Sequence, residues 1–362
     1  MNQPSQRYEE TDDGPTVTVV VPAKDGGEFI RPCLRSIREQ WYPSLECVVV
    51  NDGSTDDTLS IAEEFADKHE RFRVVSHATT RGPSAARNTG LANSSAPFVT
   101  FLDADDFLYP HSIRGRVEAL LAADSEIVAG TYCDWQTTPQ NEGPKPPERE
   151  PATKEELVGF AHGPECPFIV TAPMVRRSVL QQVGGFDEAM PTAEDFDLWI
   201  RVLREGYTFS YVPLIGVAYR QKSSGLVFSE SAQHAEASME VIEQQYNDLS
   251  GNVDAPELSR PLPYYQLQSA RARRLLRTYA LASAMNEVDD ARRIERLLSA
   301  DLDSLVRAGL NVEGELRAGA WRASRAIPEL RDNKERAEFV HGLATQLWTR
   351  PGLGDAEWVH EI

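Results

Sequence analysis

Three carboxylates, Asp103, Asp105 and Asp106, follow directly after an apolar run in the segment FLDADDFLYP, residues 101–110. Like charges this close repel one another, so such a cluster is unfavourable unless a positive group lies beside it. An Asp-x-Asp pair after a strand offers hard oxygen ligands to Mg²⁺ or Mn²⁺, and the same cation can bind phosphate oxygens. The alternative is that these acids only form a turn or cap the next helix, as a lone Asp-x-Asp pair often does.

The residues around this motif predict alternating strands and helices between residue 16 and about residue 131. Apolar, β-branched runs predict strands at 16–21, 45–50, 72–76, 97–102 and 126–132, and helical spacing predicts helices at about 28–40, 56–69, 83–95 and 111–123. This alternation is typical of an α/β fold with a doubly wound, mostly parallel sheet. Ligands bind such sheets at the carboxyl ends of the strands, so the polar segments that follow the first four strands predict one shared site.

Two further segments place polar groups at the same edge of the predicted sheet. In VVVNDGSTDDT, Asp52 ends a strand, and the following glycine lets the backbone turn tightly while the carboxylate accepts hydrogen bonds from a base or a ribose. In RGPSAARNTGL, Arg87 and Asn88 lie on the first turns of a helix. Each segment alone is compatible with ordinary turn chemistry, and only their convergence indicates a binding site.

Taken together, several segments resemble a known enzyme family. TVVVPAKDGGEFIRPCLRSI, VVVNDGSTDDT, RGPSAARNTGL, FLDADD, GGFDE and EDFDLWIR occur in the order and at the spacing of the inverting family 2 glycosyltransferases. The resemblance covers about residues 16–225 and implies the GT-A fold, with a Rossmann-like nucleotide-binding half. It also implies metal-dependent transfer of a sugar, with inversion, from a nucleoside-diphosphate-sugar donor to a hydroxyl acceptor such as a glycan, a lipid-linked sugar or a cell-surface polysaccharide precursor.

The resemblance assigns expected roles to individual residues of this chain. The nucleotide-sugar donor is expected to bind Pro22, Ala23, Lys24, Asp52, Arg87, Asp103 and Ala104. Asp105, together with Asp103, is expected to ligate a divalent cation, Mn²⁺ or Mg²⁺, between the phosphates of the donor. Lys24 departs from the family, which often has an aromatic residue there, and Lys222 lies where the family often has a histidine.

The segment EDFDLWIR carries the expected catalytic residues. By the same resemblance, Asp195 is the general base that takes the proton from the acceptor hydroxyl, and Glu194 is its neighbour, which orients it or contacts the acceptor. From the residues alone, the same acids could simply begin a helix, because negative charge is favourable at a helix N-terminus. Asp197 and Arg201 are spaced for a structural salt bridge on that helix.

Shifts in composition divide the chain into three parts. Residues 1–15 are expected to be a flexible N-terminus, residues 16–230 the GT-A domain, and residues 231–362 a helical C-terminal region. Within the domain, the proline-rich polar stretch at 136–156 predicts a mobile loop.

Charge and hydropathy limit the partners and the location. The net charge of −19 argues against nucleic acid, whose phosphates require a basic surface. No stretch approaches the roughly 18 apolar residues of a membrane helix, and the N-terminus lacks the apolar run of a signal peptide. We therefore expect a cytoplasmic location with at most peripheral contact at the inner face of the membrane.

Two other classes of function share the expected fold. A catalytically idle nucleotide-sugar binder with a helical interaction module would be expected to have lost the Asp-x-Asp or Glu-Asp motif, and both are present. A dinucleotide-dependent oxidoreductase would carry G-x-G-x-x-G after the first strand, which is absent. The Q-x-x-R-W signature of processive polysaccharide synthases is also absent, which favours transfer of one or a few sugars per acceptor.

Overall fold

The computed structural model describes residues 14–122, 127–136, 169–207, 209–221 and 232–249, with isolated positions beyond residue 270. The chain divides into two compact units. The first comprises residues 1–157 and 166–221, and the second comprises residues 158–165 and 222–362. Of the predicted loop at 136–156, only residue 136 lies within the described residues, and of the predicted helical C-terminal region, Ala232–Leu249 is described as one continuous helix, α7.

The first unit alternates strands and helices over its N-terminal half, as the sequence predicts. Its elements are β1 (Val17–Ala23), α1 (Ile30–Arg38), β2 (Leu45–Asp52), α2 (Thr58–Lys68), β3 (Phe72–His77), α3 (Pro83–Ala92), β4 (Phe98–Phe101), β5 (Phe107–Leu108), α4 (Ser112–Ala122), β6 (Ile127–Gln136), β7 (Pro173–Arg176), α5 (Arg177–Gln182), α6 (Glu194–Arg204) and β8 (Phe209–Gln221). The sequence pattern did not predict the two-residue strand β5. It forms because it pairs with β8, a partner more than a hundred residues further along the chain.

These strands form one eight-stranded sheet in the order β3-β2-β1-β4-β7-β6-β8-β5. The strands β3, β2, β1 and β4 are mutually parallel, and β6 is parallel to β8. β7 is antiparallel to both of its neighbours, β4 and β6. The predicted α/β fold with a mostly parallel sheet is therefore confirmed, and the antiparallel β7 begins the part of the sheet that carries β6, β8 and β5.

The central strands are buried on both faces, which explains their continuous apolar runs. In β1, Val19 and Val21 belong to one hydrophobic cluster, which includes residues of α1, whereas Val20 belongs to another, which includes Trp199 of α6. The helix α3 lies so close to β1 that a Cβ atom on Gly90 would be 2.2 Å from Val20 Cγ1. This close approach fixes where α3 presents its polar residues at the carboxyl edge of the sheet.

No helix within the described residues combines the length and the apolar character needed to cross a membrane.

Candidate active site

The loops after β1 and β2 are held together by hydrogen bonds at the carboxyl edge of the sheet. Lys24, which follows Pro22 and Ala23 at the end of β1, donates from Nζ to the carbonyl oxygen of Gly53 at 2.9 Å and pairs with the Asp25 carboxylate at 2.8 Å. The Lys24 side chain therefore lies across the turn that follows β2. Gly53 is needed in that turn, since its φ is +65° and a Cβ atom there would be 2.8 Å from the Thr80 nitrogen.

Asp52 is buried beside this turn and holds the loop between β3 and α3. Its carboxylate accepts hydrogen bonds from the backbone N–H groups of Arg81 and Gly82, both at 2.8 Å, and lies 2.7 Å from Nδ1 of His77. Burial acts to raise the pKa of Asp52, but the hydrogen bonds from His77 and these amides hold it below its usual value. Asp52 thus acts here on the protein's own backbone, and its expected contact with the nucleotide stays a prediction.

His77 is a residue that the sequence reasoning missed. In the β2–β3 pairing it lies directly opposite Asp52, and its Nε2 lies 2.9 Å from the Thr89 hydroxyl on α3. The hydrogen-bonded series Asp52–His77–Thr89 therefore joins two strand ends to α3. Only the register of β2 against β3 brings these residues together, so no local pattern could have identified His77.

Four consecutive residues of α3 each make a different contact. Arg87 binds carboxylates, Thr89 contacts His77, and Gly90 permits the close approach to β1. The Asn88 side chain accepts a hydrogen bond from the Phe186 N–H at 2.9 Å and donates to the Phe186 carbonyl at 2.8 Å. The residue types of this Arg-Asn-Thr-Gly segment are thus explained by the groups that each of the four residues contacts.

Arg87 links two carboxylates from distant parts of the chain. It is 4% exposed, and it donates from Nη1 to Glu194 Oε1 at 2.6 Å and from Nη2 to Asp103 Oδ1 at 3.0 Å. Its guanidinium also lies over the Phe186 ring, with 5.3 Å between Cζ and the ring centroid. Burial opposes the charge, but the Asp103 and Glu194 carboxylates raise the pKa of Arg87 above its usual value, so it stays a cation.

The acidic turn after β4 is held by Arg220 from the end of β8. The Arg220 N–H donates to Asp106 Oδ1 at 2.9 Å, its Nε donates to the Asp105 carbonyl at 2.8 Å, and its guanidinium lies 4.4 Å from the Phe29 ring centroid. Asp106 is 2% exposed, and its Oδ2 has no hydrogen-bond partner among the described residues. Burial, reinforced by the charge of Asp103, raises the pKa of Asp106 to about 9.

Asp195 lies in the first turn of α6, next to Glu194. Its Oδ1 accepts a hydrogen bond from the Phe196 N–H at 2.8 Å, which orients the partly buried carboxylate. Withdrawal from solvent and the adjacent Glu194 charge raise the pKa of Asp195 to about 7, while Arg87 acts in the opposite direction. Ala193, the residue directly before α6, has a φ of 60°, a left-handed conformation that costs a side-chain-bearing residue about 1–2 kcal/mol.

Part of this chain is similar in sequence to a known family and to several known proteins. Residues 18–184 match the family described as glycosyl transferase family 2. Over these residues, the chain resembles glycosyl transferase family 2. Over 221 residues it is 34% identical to the pre-mycofactocin glycosyltransferase of Mycobacterium tuberculosis, and over 215 residues it is 32% identical to the succinoglycan biosynthesis protein ExoU of Rhizobium meliloti. These alignments cover 57% and 56% of this chain, and 43% and 61% of the two relatives.

A solved structure shows the same fold. The S. aureus protein TarS 1–349, in complex with UDP, matches 91% of this chain and 89% of its own with a TM-score of 0.54 and 19% sequence identity. The similarity confirms the expected GT-A fold.

The acidic turn after β4 is the place where the expected cation would bind. Within the described ranges, no group of three or more His, Cys, Asp or Glu side chains is arranged to hold a metal ion. Mg²⁺ is usually held by one or two carboxylates together with substrate phosphates and water. Asp103 and Asp105 would be this pair of carboxylates, and the donor's phosphates would supply the further ligands.

The structure brings some of the expected site residues into direct contact and leaves others apart. Arg87, Asp103 and Glu194 form one connected group, with Asp195 adjacent to it, whereas Lys24 and Asp52 are bound into the loops of the neighbouring strands. The predicted salt bridge on α6 is confirmed, because Arg201 Nη2 lies 2.5 Å from Asp197 Oδ2. Lys222 lies outside the described residues.

Proposed function

We propose that this protein is a metal-dependent, inverting glycosyltransferase that moves a sugar from a nucleoside-diphosphate-sugar donor to a hydroxyl acceptor, without processive synthesis. One observation carries the proposal. The Asp195–Glu194 pair at the start of α6 is joined through Arg87 to Asp103 of the acidic turn, so a candidate base and a candidate donor site lie side by side. The match of residues 18–184 to glycosyl transferase family 2 supports the same reaction class.

The proposed chemistry needs one proton acceptor on the acceptor side. Asp195, whose pKa is raised to about 7, is partly ionised at neutral pH and is basic enough to take a proton from a hydroxyl as that oxygen attacks. The new bond forms to the anomeric carbon on the face opposite the nucleotide, so the configuration inverts. The nucleoside diphosphate leaves with the electron pair of the broken C–O bond, and Asp195 later gives its proton to solvent.

The donor side would be formed by the ends of β1, β2 and β4. Asp103 and Asp105 would hold Mn²⁺ or Mg²⁺, and the cation would neutralise negative charge on the diphosphate. Arg220, held against the Asp105 carbonyl, adds a positive charge near the same turn. The solved complexes of TarS with UDP and with UDP-GlcNAc support a nucleotide-sugar donor for a chain of this fold.

The acceptor class is proposed from the relatives. ExoU is named for succinoglycan biosynthesis, which supports a glycan or polysaccharide precursor as the acceptor of this chain. We propose a cytoplasmic location, with at most peripheral contact at the inner membrane face, from composition alone.

The experiment that tests the proposal is a donor screen. UDP-, GDP- and dTDP-sugars are incubated with the protein and Mn²⁺ or Mg²⁺, and the released nucleotide is measured. We expect one donor class to be consumed in a cation-dependent manner, no turnover in Asp195→Asn, and full turnover in Asp67→Asn, an exposed aspartate on α2 that serves as the matched control. If nucleotides bind with the cation but no donor is consumed, the protein is an idle nucleotide-sugar binder and the proposed activity is wrong.

A further inference from the structure

Arg87 occupies an unusual position between the two halves of the candidate site. It is almost fully buried, yet it lies on α3, whereas its two carboxylate partners come from the turn after β4 and from the start of α6. The side chain of Asp103 is 31% exposed and that of Glu194 is 13% exposed, so both acids can also face a ligand. Arg87 is therefore the internal connection between a donor-side acid and an acceptor-side acid.

The guanidinium cannot easily turn towards a ligand. The next residue of α3, Asn88, is hydrogen-bonded through its side chain to the backbone of Phe186, and the Phe186 ring lies under the Arg87 guanidinium. The following residue, Thr89, contacts His77 through its hydroxyl, and Gly90 lets the helix pack closely against β1. The helix is thus anchored at the three positions after Arg87, and these anchors limit the movement of its side chain.

A buried arginine in this setting stabilises the arrangement only while both carboxylates are present. Removing one partner leaves a buried charge uncompensated, which is strongly unfavourable. An arginine can span two carboxylates with separate N–H groups in a fixed plane, whereas a lysine ammonium acts as a single point charge on a flexible stem. The distance between Asp103 and Glu194 therefore depends on the guanidinium shape as well as on its charge.

We propose that Arg87 is a positioning residue that sets the separation of Asp103 and Glu194, and through Glu194 the placement of Asp195, rather than a residue whose main contact is the nucleotide base. This inference rests on the proposed function. The contacts with Glu194 and Asp103, at 2.6 Å and 3.0 Å, use both Nη atoms of the guanidinium. Misplacing a catalytic group by about 1 Å can lower the rate on the order of a hundredfold.

The test is a double-substitution cycle in the full chain. Arg87→Lys, Glu194→Gln and the double variant are compared for kcat with the donor that the screen identifies. The Kd for UDP and for GDP with Mn²⁺ is measured by calorimetry. We expect each single variant to lower kcat on the order of a hundredfold, with a Kd within about threefold of wild type. The double variant should lie within about twofold of the worse single variant, because the two residues act as a unit.

Matched controls separate this result from a general loss of structure. Arg31→Lys and Glu64→Gln alter an exposed pair with a similar contact, 2.8 Å from Nη2 to Oε2, on α1 and α2, and should leave kcat and Kd unchanged. If Arg87→Lys weakens nucleotide binding at least tenfold with little change in kcat, or if the two kcat effects multiply, the proposal is wrong.

A second measurement keeps the test independent of the proposed activity. The same variants are unfolded in urea without donor, and the midpoints are compared. A coupled pair predicts that the double variant loses clearly less stability than the sum of the two single losses. Additive losses would overturn the inference, whatever the enzyme assay shows. If the cycle shows coupling but no donor is consumed, the proposed function fails while the connection between the two acids stands.

Discussion

Asp195→Asn is predicted to abolish transfer while making the folded protein more stable at alkaline pH. The substitution keeps the shape of the side chain and removes a charge that is unfavourable in the folded state. Burial, followed by the charge of Glu194, raises the pKa of this carboxyl from its ordinary value of 3.8 to about 7. A catalytic group held in an unfavourable charge state is expected to lower stability, and the asparagine variant removes that cost.

The magnitude and its sign follow from proton linkage. A carboxyl whose pKa is higher in the folded than in the unfolded state stabilises the fold below its unfolded pKa, and this contribution is lost as the pH rises through the folded pKa. The difference between 3.8 and about 7 corresponds to at most about 4 kcal/mol. Asp195 is partly exposed and its charge is screened, so we expect about 1–2 kcal/mol.

The assay is urea unfolding of wild type and Asp195→Asn at pH 5 and pH 8.5, in the presence of a chelator and without donor. The gain in the free energy of unfolding should be well below its full size at pH 5 and reach that size above pH 7. Asp67→Asn, the exposed control on α2, should show no such pH-dependent gain. An Asp195→Asn variant that is no more stable than wild type at pH 8.5, or that retains turnover, would refute the reasoning.

Three further predictions concern other parts of the site. In wild type, kcat/KM should rise with pH through an apparent pKa near 7, because Asp195 must be ionised to act as base, and a pH–rate profile measures this. Asp105→Ala should weaken nucleotide binding in Mn²⁺ at least tenfold but leave metal-free binding unchanged, as titration calorimetry would show. Gly90→Ala should lower the free energy of unfolding by about 1–3 kcal/mol, measured in urea, because its Cβ would be 2.2 Å from Val20 Cγ1.

The acidic residues of the candidate site show why part of this site could be predicted from the sequence. Asp103 and Asp105 directly follow an apolar strand, and Glu194 and Asp195 begin an amphipathic helix, so local patterns show that polar groups occur at element ends. Family resemblance then supplies roles for these positions. Arg87 could be assigned to the same edge of the sheet for the same reason, since it lies on the first turns of a helix that follows a strand.

The partners of these residues could not be predicted, because they are set by contacts over long chain distances. Arg87 meets Glu194 across 107 positions, and Arg220 meets Asp106 across 114. His77 meets Asp52 only because β2 and β3 pair in one particular register. A one-residue slip of that register would point His77 to the other face of the sheet.

The sequence by itself determined the alternation of strands and helices in the N-terminal half, the buried parallel strands and the identity of the acids at the sheet edge, because these depend on local periodicity and residue chemistry. The tertiary structure alone decided that β7 runs antiparallel, that Asp52 holds a backbone loop, and that Arg87 bridges two acids. The physical reason is that the pKa values and pairings of buried charges depend on which groups packing brings within a few ångströms, and the chain order does not specify those neighbours.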